Sequence, residues 1–171
     1  EVKWVQVDLG SSRAFDRVVL FPCSDDFNGI GDGFGFPDEF RVEASDDAEF
    51  TRDVIVIARG TSALLGTPRS VPVVLETGGA MARHVRVTAT RLAPRRGDFI
   101  LALAEMQVID AAGRNIAEGA LVASLDSTEL GDRWRPSNLT DGIAPAIRAT
   151  PERAAALRAS RADLQRRIEG D

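Results

Sequence analysis

The chain has 171 residues, of which 44% are hydrophobic and 27% charged, and a formal net charge of -5 at pH 7. This is enough apolar material for one core of ordinary size plus an appendage, and no apolar run approaches the ~20 residues of a membrane-crossing helix. The acidic excess disfavours nucleic acid and anionic membranes as general partners, and the lone Cys23 can close no internal disulfide.

In chain order, a period of two dominates up to residue 109. Strands are predicted over 4–9 and 15–21, separated by the turn Gly10-Ser11-Ser12. Cys23, at a strand end, reads as a small buried hydrophobe. Phe40, Val42 and Ala44 then alternate with Glu39, Arg41 and Glu43, so one face is buried and the other wetted. Further strands are expected over 53–58, 71–76 and 100–109, with turns at Ser45-Asp46-Asp47 and Thr77-Gly78-Gly79. Val85, Val87 and Ala89 alternate with His84, Arg86 and Thr88, which makes His84 a solvated strand residue. Short strands with no intervening helix argue for an all-β antiparallel sandwich, whose two sheets share a core.

Beyond Gly119 the pattern changes. Residues 120–142 are irregular and polar, and Thr150-Pro151-Glu152 then opens a helix by supplying a cap, a first-turn proline and an acid at the positive helix end. Ala154, Leu157, Leu164 and Ile168, with Arg161 in the series, form a narrow apolar stripe. We expect an amphipathic C-terminal α-helix over 150–169, packed on its own or a neighbouring domain or on a partner helix.

The order of segments carries a resemblance. Trp4-Val5-Gln6-Val7-Asp8-Leu9-Gly10 is followed by Phe15-Asp16-Arg17-Val18-Val19-Leu20, then by Phe40-Arg41-Val42-Glu43-Ala44-Ser45-Asp46-Asp47. Ala82-Arg83-His84-Val85-Arg86-Val87 and Leu103-Ala104-Glu105-Met106-Gln107-Val108 complete the series. In this order the segments resemble the discoidin, or coagulation factor 5/8 type C, family. The resemblance spans about 4–109 and implies a jelly-roll, galactose-binding-like sandwich that binds carbohydrate. It also implies a non-catalytic module of a larger extracellular, periplasmic or cell-surface protein.

The family's opening strand and asparagine-x-x-aspartate-glycine loop have no counterpart before residue 4. Trp134-Arg135-Pro136-Ser137-Asn138-Leu139-Thr140-Asp141-Gly142 carries that loop pattern instead. The expected organisation is a sandwich over 1–118, a segment 119–149 that either starts a second copy or completes the first, and the helix. No start methionine or leader precedes the first strand, so we expect a fragment with neighbouring domains.

Family members often hold a structural calcium ion between that loop and the glutamate of the closing strand. The resemblance puts Asp141 and Glu105 at those positions, and calcium is satisfied by a few carboxylates plus backbone carbonyls. Glu105 also shares a strand face with Leu101, Leu103 and Ile109, where a carboxylate needs a metal, a donor or an arginine.

The most distinctive loop spans 25–37, where glycines recur at every second position. No dinucleotide turn or phosphate loop fits that spacing, and a calcium loop read from Asp26 would place Ile30 and Pro37 at ligand positions. Asp26, Phe27, Asn28, Asp32, Phe34 and Phe36 are the candidate ligand residues, because rings stack on sugar faces while carboxyl and amide groups take hydroxyl hydrogen bonds. Equally, Phe34 and Phe36 can plug the end of the sandwich. Arg95 and Arg96, in the loop before the last strand, either join this site or form a solvated turn. With one histidine and no G-x-S-x-G, no catalytic constellation is present. The expected ligand is therefore a glycan or glycoconjugate. The alternative is a spacer or protein-interaction domain accessory to a glycoside hydrolase or another catalytic domain.

Overall fold

The computed structural model describes residues 2–25, 31–65, 69, 71–132 and 134–144, so the helix expected over 150–169 lies outside the described residues. The strands are β1 (Lys3–Phe21), β2 (Cys23–Asp25), β3 (Gly31–Phe34), β4 (Glu39–Ser45), β5 (Ile55–Thr61), β6 (Val73–Arg91), β7 (Ala93–Arg95), β8 (Asp98–Ile100), β9 (Glu105–Ile109) and β10 (Leu121–Ser124). Every pairing between them is antiparallel. The principal sheet has the order β10-β1-β6-β4-β5, with β9 also on β1.

Two turns expected from the sequence do not interrupt their strands. Gly10-Ser11-Ser12 lies inside β1 and Thr77-Gly78-Gly79 inside β6. In the β1–β6 register, residues 9–12 oppose Arg83 alone and residues 77–79 oppose Asp16 alone. These paired bulges bend the two strands together as one ribbon. Gly10, at φ 80°, and Gly78, at φ 67°, supply left-handed backbone at the corner. The Thr77 hydroxyl donates to the Phe15 carbonyl at 2.5 Å, pinning the corner from inside.

The ribbon thereby serves both layers. Residues 5–8 of β1 lie between β10 and β6, while residues 17–21 lie between β9 and β6. Val7, Val42, Ala44, Val85 and Val87 from the first stretch join Val18, Leu20, Val73, Met106 and Val108 from the second in a single core. Each large side chain so buried contributes about 1.5–3 kcal/mol. The strand expected over 100–109 is split into β8 and β9.

Segment 119–142 packs onto this same sheet. β10 pairs with residues 5–8 of β1, Leu139 joins the core, and the Gly119 amide donates to the Thr140 carbonyl at 2.7 Å. The Thr140 hydroxyl donates in turn to the Ala120 carbonyl at 2.9 Å.

The outer face of the first layer corrects one expectation: His84 is only 5% exposed. The loop between β4 and β5 folds over the strand face on which His84 lies. Asp47 accepts from the Glu49 amide, the Thr51 amide and the Thr51 hydroxyl at 3.1, 3.0 and 2.6 Å, which shapes that loop. Phe50, at φ 56°, is thus carried over the Arg86 guanidinium, whose other face lies on Trp4.

Candidate functional site

Two hairpins meet at one end of the sandwich. β2 and β3 form the first, with Cys23 opposite Phe34 and Asp25 opposite Gly31. β7 and β8 form the second around Arg96-Gly97, with Arg95 opposite Asp98 and Pro94 opposite Phe99. They are tied by the Ala102 amide, which donates to the Gly35 carbonyl at 2.8 Å. Gly35 sits at φ 69°, and a Cβ there would come within 2.6 Å of the Ala102 Cβ. Only glycine permits this approach.

The expected ligand residues divide at this end. Asp26, Phe27 and Asn28 lie outside the described residues. Asp32 is half-buried and accepts from the Ser24 hydroxyl at 2.5 Å, while Phe34 is half-buried on β3. Phe36 is not at the surface: it is 1% exposed, and its ring meets that of Phe40 edge-on at 5.4 Å. It plugs the core because the chain turns inward at Gly35 and Pro37, both also buried. Cys23, expected as a buried hydrophobe, is half-buried.

Arg95 and Arg96 are exposed beside this loop. The Arg95 Nε donates to Asp98 at 2.7 Å, and this pairing raises the arginine's pKa and lowers that of the aspartate. Phe99 was not anticipated from sequence. At 69% exposure it is more open than the half-buried Phe34, and its only local signal is its place just after the Arg96-Gly97-Asp98 turn.

The second feature is a buried carboxylate. Opposite Phe21 at the start of β9, Glu105 is on the strand face away from Met106 and Val108, which point to the core. It is nevertheless 0% exposed, and among the described residues neither carboxylate oxygen has a hydrogen-bond partner of good geometry. Burial raises its pKa to about 7, and the charges of Asp141 and Glu118 push the same way, while the nearby Gly142 amide partly offsets them. Asp141 is exposed, and its carboxylate accepts from the Ile143 amide at 2.8 Å.

Asp141, which the resemblance paired with Glu105, thus lies close enough for its charge to act on that carboxylate. A buried carboxylate with no donor beyond the nearby Gly142 amide, beside a second carboxylate, suits a hard cation completed by backbone oxygens. Among the described residues, no group of three or more His, Cys, Asp or Glu side chains is placed to hold a metal by itself. Glu118 was also missed from sequence, since only the return of 115–118 along β9, through the Ile116 amide to the Val108 carbonyl at 2.8 Å, brings it near.

No helix among the described residues is long and apolar enough to cross a membrane. No protein-family model and no curated protein matches this chain. Among solved structures, it is similar to chitosan-binding module 1 derived from a chitosanase/glucanase of Paenibacillus sp. IK-5. The identity is 19% over 63% of this chain and 68% of that one, with a TM-score of 0.46. It is also similar to the C-terminal domain of a chitobiase from Bacteroides fragilis, with 15% identity over 72% of this chain and 66% of that one and a TM-score of 0.44.

Proposed function

We propose that this chain is a non-catalytic, discoidin-like glycan-binding module of a larger secreted or cell-surface protein. Its ligand is held where the β2–β3 and β7–β8 hairpins meet. The observation that carries this reading is the bond from the Ala102 amide to the Gly35 carbonyl, which joins the two hairpins at one end. In this reading Phe34 and Asp32 of the first hairpin and Phe99 and Arg96 of the second act together, combining rings for a sugar's apolar face with donors and acceptors for its hydroxyls. Asp26, Phe27 and Asn28, between β2 and β3 in sequence, belong to the same reading, whereas Phe36 serves the core and Arg95 is paired with Asp98.

A calcium ion held by Glu105 and Asp141, with backbone carbonyls of the 139–142 turn, belongs to this reading as a structural clamp. It would fix the last described segment against β9 and supply no chemistry. An acid–base role for Glu105, despite its raised pKa, is disfavoured by its complete burial, since a general acid must reach the atom it protonates.

The test is calorimetric titration of the chain with galactosides and N-acetylglucosamine oligosaccharides. Binding that disappears in a Phe34→Ala/Phe99→Ala double variant, with the circular dichroism unchanged, supports the proposal. No binding to any of these sugars would favour the spacer reading.

A further inference from the structure

The other end of the sandwich carries a cleft of about 380 Å³ at the ribbon corner, lined by Asp8, Arg13, Arg83, Ile116, Glu118 and Leu121 among others. Along β4, Glu39 stands at the hairpin end while Ser45 pairs with His84, which in turn pairs with Asp8. Six residues of strand separate the two ends by about 20 Å, so the cleft is not part of the hairpin site described above.

Its polar groups are fixed in place. Arg83 donates from Nε and Nη2 to both oxygens of Asp8 at 2.7 and 2.8 Å, and its backbone amide donates to Asp46 at 2.8 Å. Its Nη1 keeps no hydrogen bond among the described residues. Asp8 also accepts from the Gly10 amide at 2.8 Å, which shapes the turn leading to Arg13. Arg13 itself is half-buried and makes no hydrogen bond or ion pair among the described residues. An uncommitted guanidinium in a concave site, flanked by a second one locked in position, is equipped to receive a planar anion in a two-point fork.

The remaining lining suits a sugar ring. Leu9 and Ile116 form a buried apolar floor, and Leu121, 77% exposed, forms a wall. Glu118 and Asp8 are acceptors for hydroxyl groups. The volume accommodates one ring.

We propose that this cleft is a second ligand site and that it takes a carboxylated sugar, a hexuronate. Arg13 forks the carboxylate, Glu118 accepts a ring hydroxyl, and Leu121 covers the ring's C–H face. The site does not depend on glycan binding at the hairpin end, and the two can succeed or fail separately. If both are occupied, one module bridges two points on an acidic polysaccharide and gains from multivalency.

The test is an amide-resolved NMR titration of the full chain with sodium glucuronate, glucose and acetate in parallel. Glucuronate is expected to shift the amides of residues 9–13 and 118–121, more strongly than glucose or acetate does. Arg13→Ala is expected to weaken glucuronate about tenfold or more, and Leu121→Ala to weaken it less, whereas Phe34→Ala/Phe99→Ala leaves it unchanged. The proposal is overturned if glucuronate shifts nothing at the corner, if glucose or acetate binds equally well, or if both Arg13→Ala and Leu121→Ala leave the affinity intact. Failure at the corner with glycan binding kept at the hairpins would remove this site alone.

Discussion

The Arg86 guanidinium lies 4.2 Å from the ring centroid of Trp4, on the outer face of the sheet that the β4–β5 loop covers. Phe50 closes its other side at 4.0 Å, while Gln6 Oε1 and the Ala48 carbonyl accept its hydrogens. The charge is thus held between two rings and fastens the loop to the sheet. Arg86→Met keeps much of the stem but removes the cation and its donors, and should cost about 2–3 kcal/mol. Thermal melting of the purified chain checks this. A Tm equal to that of the parent would mean that the stack contributes no stability.

Phe36 and Phe99 sit near the same end with opposite duties. Phe36→Ala opens a cavity beside Phe40 and should cost about 3–5 kcal/mol. Phe99→Ala removes an exposed ring, should change stability by less than about 0.5 kcal/mol, and should weaken glycan binding. Urea denaturation and glycan titration of the two variants separate the roles; equal destabilisation by both would contradict the burial difference.

Glu105 couples stability to pH. Its folded pKa of about 7 stands above the ordinary value of 4.5. The metal-free folded chain therefore binds the proton more tightly than the unfolded chain does. This contribution is fully present below about pH 4.5 and is lost as pH rises towards 7, a span on the order of 3 kcal/mol. Chemical denaturation in EDTA between pH 5 and 7.5 should show stability falling, and Glu105→Gln should flatten the slope. A calcium ion that engages the ionised form should restore stability at pH 7.5 in the parent and not in Glu105→Gln. A pH-independent parent would refute the coupling.

Gly35 is the tightest point between the hairpins. Gly35→Ala must displace the Ala102 methyl from 2.6 Å or shift the backbone away from φ 69°. The expected loss is about 2–3 kcal/mol, together with weaker glycan binding because the hairpins are pulled apart. Gly97→Ala is the contrast, since it also has positive φ but meets nothing within 4 Å among the described residues. If the two alanines cost the same, the packing against Ala102 carries no weight.

Alternation along Phe40-Arg41-Val42-Glu43-Ala44 and across Val85-Arg86-Val87 was readable residue by residue, because a strand turns successive side chains to opposite faces whatever surrounds it. The same rule named Val42, Val85 and Val87 as core before any fold was in view. It could not say that Gly10 and Gly78 bend one ribbon through both layers, because a turn and a bulge share the same glycines and differ only in whether the partner strand follows. Nor does alternation tell what covers the other face. His84 and Glu105 are both buried on faces turned away from the apolar core; the first shares its face with Arg86, on which the β4–β5 loop rests, and the second lies beside Asp141 and Gly142. Phe36, Phe99 and Glu118 follow the same logic. Their composition and local pattern were in plain sight, but exposure is a property of distant chain segments brought into contact, and only the folded arrangement assigns it.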